Sequence, residues 1–521
     1  MILKSVVKKF IERERRDFRV YKDFSDAKLL RRRDRLPVRP PIWNKLQRHQ
    51  KVCLLIGAET KRFLFFNDTG TGKTLLCIAL ARYFQKAGIA ARMLVLVPNR
   101  SNRDEWELEI QKHSPRTPYL IMRGGSAAKW EKLANTDAVL VVDTYMGIVR
   151  MLCTKKPGKG RKKKKMRLVP NRTLVNKFVK QFGGAFMDES TWVKNKKRLP
   201  FRICRQIAKR AEIMFGLAAV PFGRDPSDMW AQAFLIDRGY TLGENMALFR
   251  AAFCKENATP WATTYAFDKK KKGELNRILA NVSIRYDADS SDLPKARDIP
   301  VLCRLPEDAE AYYERAKEAI IRARGDYTEM KNAFMRMRQI SSGFVGYRDD
   351  ESGTRAQFEF PTNPKLDALI AKIESVDPRH KIIVYHDFIY SADMITRELK
   401  ALKIGHARLD GATKDTKAVR NMFNTDPRCR VLLLVNSMGI GLNLQAARYG
   451  MYYEAPVPVI TRYQTRKRIE RQFSEHKSVF FYDFIMRGTV DERILQFHKE
   501  GRDLFESIVH AKGSRREALV A

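Results

Sequence analysis

The sequence predicts an α/β protein with two parallel-sheet domains and a mainly helical region between them. Three observations carry that expectation. Short apolar runs rich in β-branched residues alternate with amphipathic stretches over 62–217, and the pattern returns over 381–484. The runs are apolar throughout, as expected of strands buried on both faces of a parallel sheet. With 521 residues, 44% of them apolar, the chain is long enough for two or three domains with full cores.

Taken in order, residues 1–36 are charged and helix-like and end at "LPVRPP". They read as a basic N-terminal extension and as the candidate contact for a protein partner. Residues 37–240 form the first α/β lobe, with strands at "RFLFF", "MLVLVP", "AVLVVD", "GAFMD" and "EIMFGL". A basic loop is inserted at 150–170. Its core, "KKPGKGRKKKKMR" (155–167), has nine Lys or Arg in thirteen residues, and its Pro and Gly prevent a regular helix. Residues 241–360 read mainly as helices, with a second basic tract at 269–272. The second lobe spans 361–500, with strands at "KIIVYH", "RVLLLV", "YGMYYE" and "SVFFYDF", and 501–521 is a tail.

Composition narrows the partners. The 100 basic and 59 acidic residues leave a net charge of +41, which predicts attraction to a polyanion, most plausibly nucleic acid. A generally solvated basic surface is the alternative. The seven cysteines lie far apart with no C-x-x-C pair, so neither a disulfide framework nor a zinc site is expected. "MILKSVVKKFIERERR" has charges where a signal peptide needs an apolar core, and no apolar stretch reaches the roughly 20 residues of a membrane span. A soluble, intracellular, monomeric protein with no membrane contact is the expectation.

"FLFFNDTGTGKTLLCIALARYF" places a strand, a Gly-rich turn and an amphipathic helix in the order of a P-loop. Thr69, Gly70, Thr71 and Gly72 form the turn, whose backbone N–H groups would surround phosphates at a helix N-terminus. Lys73 supplies a cation for the β- and γ-phosphates, and Thr74 a hydroxyl for magnesium. Asn67 stands where the general pattern has Gly. Such a site needs a carboxylate on a neighbouring strand and a base to orient water. "GGAFMDESTWVKN" (183–195) offers Asp188 for the metal and Glu189 for the water; alone, the pair would read as an acidic turn. In "YQTRKRIERQF" (463–473), Gln464, Arg468 and Arg471 fall at i, i+4 and i+7, one face of a helix, whereas Arg462, Arg466 and Lys467 read as surface charge.

From about residue 40 to residue 500 the order of motifs resembles the superfamily 2 helicase-like ATPases, in their SWI/SNF-like branch of double-stranded DNA translocases. "LQRHQ" resembles the glutamine motif, "DTGTGKT" motif I, "LVLVPNRSNRDEWELEI" motif Ia and "VVDTYMGI" motif Ib. "DESTWVKN" resembles motif II, "SMGIGLNLQAA" motif V and "QTRKRIERQ" motif VI. "MRQISSG", "NPKLDALIAKI" and "GTVDERI" follow in that branch's order. The resemblance implies two tandem RecA-like lobes with ATP between them and DNA across the same cleft. It implies that Gln50 reads adenine, that Gly439 and Gln464 contact nucleotide, and that Arg468 and Arg471 reach ATP. DNA contacts are expected at Asn99, Arg100, Thr144, Tyr145 and Asn443, and at Lys162 and Lys163 of the basic loop. Thr191 replaces the histidine of motif II, "AAVP" (Ala218–Pro221) replaces a hydroxyl-bearing motif III, and Glu470 replaces a histidine of motif VI. The expected function is an ATP- and magnesium-dependent translocase on double-stranded or branched DNA that remodels branched DNA or protein–DNA complexes. A strand-separating helicase and a nucleic-acid-binding scaffold with a weakened motor are the alternatives.

Overall fold

A computed structural model describes residues 8, 16–157, 166–219, 227–258, 263–287, 294–323, 326–348, 354–413, 415–438, 444–470, 476–500, 504 and 519. The chain separates into two compact units, residues 1–288 and 289–521. No helix among the described residues is long and apolar enough to cross a membrane.

The strands of the first unit are β1 (Arg62–Phe65), β2 (Met93–Val97), β3 (Tyr119–Ile121), β4 (Leu140–Thr144), β5 (Cys153–Pro157), β6 (Met166–Pro170), β7 (Gly184–Met187), β8 (Ile213–Leu217), β9 (Cys254–Ala258), β10 (Thr263–Phe267) and β11 (Ser283–Ile284). Seven of them form one parallel sheet in the order β11-β1-β8-β7-β2-β4-β3. Parallel pairing requires crossovers that cover both faces, which is why β2, β7 and β8 are buried throughout. One face packs against a core that includes Tyr145, Phe178, Ile207 and Phe249. The other carries Leu76, Phe84, Trp106 and Ile110.

Three expectations change here. The extension at 1–36 is part of the first unit from Phe18 onward. Phe18, Tyr21, Phe24 and Leu29 are buried in its core, and the Phe18 N–H donates to the Ala280 carbonyl at 3.3 Å. The basic insertion is bounded by regular structure, since β5 and β6 pair antiparallel from Cys153 opposite Pro170 to Pro157 opposite Met166. Its tip, with Lys162 and Lys163, lies outside the described residues. Residues 241–360 are not an independent helical region: β11 completes the first sheet, and β12 (Lys295–Cys303) opens the second.

The second unit continues with β13 (Phe344–Arg348), β14 (Arg355–Glu359), β15 (Lys381–His386), β16 (His406–Leu409), β17 (Val431–Val435), β18 (Ala447–Tyr452) and β19 (Ser478–Met486). Its six-stranded parallel sheet runs β12-β19-β18-β15-β17-β16. Helices Glu307–Arg322, Tyr327–Ile340 and Val490–Lys499 share a separate apolar cluster. Segments distant in sequence converge beneath it. Lys365 of "NPKLD" is fully buried against Asp491 of "GTVDERI", and Ser341 of "MRQISSG" donates to the same carboxylate. Gly343 is required there: its φ is +94°, and a Cβ would stand 1.9 Å from Asn363 Nδ2.

Candidate nucleotide site

All seven strands of the first sheet point the same way, so the loops after β1, β2, β4 and β7 open on one edge. This is the edge at which open parallel sheets bind ligands. The P-loop follows β1 and leads into the helix Lys73–Lys86. Gly70 and Gly72 have φ of +84° and +70°, the left-handed region that lets successive N–H groups turn inward. Thr69 and Thr71 are buried within the loop, and the Thr71 hydroxyl donates to the Asp68 carbonyl at 2.7 Å. The Lys73 ammonium donates to the carbonyls of Asn67 and Asp68 at 2.9 and 3.0 Å. These two contacts hold the ammonium over the loop. Thr74 stands half-buried in the first turn of the helix.

Gln50, expected to read adenine, packs against the loop. It is buried, its Oε1 accepts from the Gln47 N–H at 2.8 Å, and its Nε2 donates to the carbonyls of Thr71 and Gly72 at 3.2 and 3.1 Å. Both ends of the amide are committed to shaping the loop. A Cβ on residue 72 would lie 2.3 Å from Gln50 Nε2, so glycine is needed for close approach as well as for φ. His49 supports the same Thr71 carbonyl at 2.8 Å, and burial lowers its pKa.

The acidic pair stands at the end of β7, where the Asp188 N–H donates to the Leu96 carbonyl of β2 at 2.8 Å. Asp188 Oδ1 accepts from the Glu189 N–H at 3.1 Å, and Oδ2 accepts from the Trp106 indole N–H at 2.8 Å. Trp106 is 2% exposed, so this donor is fixed. Glu189 adopts a left-handed conformation, φ +46°, which turns the chain into the short 3-10 helix Ser190–Val193. Burial, and after it the charge of Asp188, pushes the Cys77 thiol of the P-loop helix well above its usual range, while Lys73 pulls it down. Motif I and motif II therefore share one electrostatic neighbourhood. Trp106 is a site residue that the P-loop and the acidic pair do not single out in sequence; its place in motif Ia, on the crossover beside β7, is the available signal.

Tyr145 is corrected. It is fully buried, donates to the Asp188 carbonyl at 2.9 Å and lies parallel to the Trp192 ring. It supports the acidic turn and has no surface to offer DNA. Thr144 caps the helix Tyr145–Leu152 by accepting from the Gly147 N–H at 2.9 Å, and Asn99 caps Arg100–His113 by accepting from the Asn102 N–H at 3.0 Å. Arg100 is exposed. Near the substituted motif III, Ala218 and Ala219 are buried, and Pro221 lies outside the described residues. Motif II still reaches the next helix, Ser227–Asp237, because the Ser190 hydroxyl donates to Gln232 Oε1 at 2.5 Å in a fully buried pair.

In the second unit the helix carrying Gln464 ends at Arg466, so Gln464 and Arg468 do not share a helical face. Arg468 lies in the following turn, its N–H donating to the Thr465 carbonyl at 3.1 Å, and its side chain is largely buried. Arg471, Gly439 and Asn443 lie outside the described residues. Arg462 and Arg466 are not plain surface charge. Arg462 makes a bidentate pair with Asp483 at 2.6 and 2.7 Å and lies over the Tyr452 ring. Burial opposes its charge most strongly, but Asp483, Tyr452 and Asp298 together outweigh burial and raise its pKa. Arg466 pairs with Asp298 and covers Phe481. Both pin motif VI to the sheet.

A phosphate-binding loop with a lysine, beside a strand-end carboxylate pair on a parallel sheet, defines a P-loop ATPase site. The SNF2-related domain matches residues 13–352 and the helicase conserved C-terminal domain matches residues 364–472. The chain belongs to the SNF2-related family of helicase-like ATPases, and its two α/β units are RecA-like lobes. It is 22% identical over 479 residues to an uncharacterized ATP-dependent helicase of Mycoplasma genitalium, covering 88% of this chain and 42% of that protein. It is 21% identical over 479 residues to the SWI/SNF-related matrix-associated actin-dependent regulator of chromatin subfamily A-like protein 1 of Drosophila melanogaster, covering 90% of this chain and 57% of the relative. The chain thus spans about half the length of these relatives. Among solved structures, the Sulfolobus solfataricus SWI2/SNF2 ATPase core in complex with dsDNA is 19% identical, with 91% of this chain and 97% of that one covered and a TM-score of 0.38.

Proposed function

We propose that this protein is an ATP-driven translocase on double-stranded DNA that remodels branched DNA or protein–DNA complexes. The observation that carries the reading is that Lys73, held over the P-loop, and Asp188, fixed by Trp106, follow strands of one parallel sheet at the same edge, in a chain with both SNF2-related and helicase C-terminal domains. The net charge of +41 and the chromatin function in the Drosophila relative's name support DNA as the track.

The donor set fits magnesium, because Thr74 and Asp188 offer only oxygen and this ion takes one or two protein ligands alongside substrate phosphates. Among the described residues no group of three His, Cys, Asp or Glu competes with that arrangement. Magnesium, when bound, neutralises charge on the phosphate oxygens. The remaining work falls to the chain. Lys73 shifts from the loop carbonyls to the β- and γ-phosphates. Gln50 and His49 keep the loop open to them. Glu189 accepts the proton of the attacking water, in the orientation that its left-handed backbone sets. Arg468 and Arg471 of the second lobe stabilise charge on the transferring phosphoryl group. Each cycle changes the grip of the two lobes on the phosphate backbone, so contacts are mostly sequence-independent.

A weakened motor is the second reading, favoured by Thr191 and by the buried alanines of motif III. The Ser190–Gln232 pair weighs against it, since it joins the same segments through other side chains. Steady-state ATP turnover with and without duplex DNA tests the proposal. Stimulation by the duplex is expected, and turnover indifferent to DNA would contradict it.

A further inference from the structure

The helix Leu199–Arg210 gives its inner face to the core of the first lobe through Phe201, Ile203, Cys204, Ile207 and Ala208. Its outer face is cationic. Arg198 caps it, and Arg202, Arg205 and Lys209 follow at i+4, i+7 and i+11, all exposed. At 3.6 residues per turn this is one stripe, about 16 Å long. The helix contains no acidic residue. Among the described residues, none of these four cations, nor Arg172 or Arg210 beside them, pairs with a carboxylate. The nearby Lys194, by contrast, pairs with Asp228 at 3.2 Å. Like charges one turn apart repel, so the fold gains nothing from the stripe by itself.

Clefts flank the stripe on both sides. One, of about 670 Å³, is lined by Arg172, Arg202, Gln206, Lys209 and Arg210. The other, of about 530 Å³, is lined by Lys196, Lys197, Arg202 and Arg205 over a floor of Trp230 and Phe234, with Glu244 its one carboxylate among the lining residues. Arg205 lies 5.5 Å over the Phe234 ring and Lys196 lies 5.9 Å over Trp230. The aromatic rings are thus covered by cations rather than offered for base stacking, which favours an intact backbone over unpaired bases. Pro170, the last residue of β6, also lines the first cleft, so the β5–β6 arm with exposed Lys155, Lys156 and Arg167 leaves the lobe beside the stripe. The stripe leads away from the nucleotide edge. Arg62, at the start of β1, donates to the carbonyls of Ala208 and Ala211 at 3.1 and 2.6 Å, which sets the end of the helix at the opposite edge of the sheet.

We propose that this stripe, continued by the β5–β6 arm, is a second binding face on the first lobe for the phosphate backbone of double-stranded DNA. It binds without reading sequence, and it would hold a duplex whether or not the motor moves along it. The test uses the full chain without nucleotide and a fluorescein-labelled duplex, with binding followed by anisotropy across a salt series. The triple variant R202Q/R205Q/K209Q should bind more weakly, and its slope of log K against log salt should be shallower by about 0.9 per contact, about 2.7 in all. A matched variant, K86Q/K112Q/K132Q, removes three exposed lysines elsewhere on the lobe and should keep a near-parental slope. If the triple variant does not fold, R202Q alone should lower the slope by about 0.9. Equal flattening in the two triple variants, or none in either, would overturn the proposal. So would a loss as large for poly-glutamate as for the duplex, which would assign the face to an acidic protein. Failure of the motor reading is seen separately, in duplex-stimulated ATP turnover of the parental chain.

Discussion

Replacing Trp106 with Phe removes a single donor from Asp188, the carboxylate proposed to hold magnesium, while keeping an aromatic ring in the same core position. The indole N–H lies 2.8 Å from Asp188 Oδ2 and Trp106 is almost wholly buried, so water cannot substitute for it without repacking. A hydrogen bond to a charged acceptor contributes ~1.5–3 kcal/mol, and loss of a partner that orients a metal-binding carboxylate costs roughly ten- to a hundredfold in affinity or activity. Asp188 keeps its second anchor, the Glu189 N–H at 3.1 Å, which places the expected effect at the lower end, about tenfold. ATP turnover measured across a magnesium titration should show half-saturation shifted up by that factor, with most of the maximal rate recovered at high magnesium. Thermal unfolding without nucleotide separates this from general damage and should show only a modest loss. An unchanged magnesium dependence would refute the idea that Trp106 sets the orientation of Asp188.

Other outcomes follow from the same geometry. Lys73→Ala should abolish ATP turnover, whereas Glu189→Gln should retain ATP binding and lose hydrolysis; near-parental turnover in both would remove the assigned roles. Deleting residues 158–165, the tip of the β5–β6 arm, should flatten the salt dependence of duplex binding and leave the lobe folded, as checked by unfolding; an unaltered slope would make the tip solvated charge. His386 is buried, contacts the Phe388 carbonyl at 3.0 Å, and has its pKa lowered to about 4 by burial. The unfolded chain takes up this proton near pH 6.5 and the folded chain does not, so stability is full above that pH and falls by up to ~3 kcal/mol as pH drops toward 4. His386→Gln should reduce that acid-side loss in pH-dependent denaturant unfolding, and an identical pH profile would exclude His386 as its source.

Much of the architecture was legible because it is local. The strands at "MLVLV", "GAFM" and "VLLLV" are continuous apolar runs, and the P-loop is defined by residues adjacent in sequence. The parts that were not legible depend on distant partners. Arg462 looks like surface charge until Asp483, 21 residues on, is placed beside it. Tyr145 sits in a motif that resembles a DNA-contacting one, yet its ring turns inward, where its hydroxyl donates to the Asp188 carbonyl. β12 is not legible as a strand because it lies at the sheet edge: it contains Pro300 and about half of its side chains face water, so it lacks the apolar run of a central strand. The N-terminal segment was masked by its charge, since its four buried residues are spaced among arginines and lysines that remain at the surface.

The central claim is motion along an intact duplex, and triplex displacement tests it most directly. A third strand bound to duplex DNA should be displaced in the presence of ATP and magnesium, while a simple tailed duplex under the same conditions stays paired. Efficient unwinding of the tailed duplex with no displacement of the third strand would contradict the account and identify a strand-separating helicase instead.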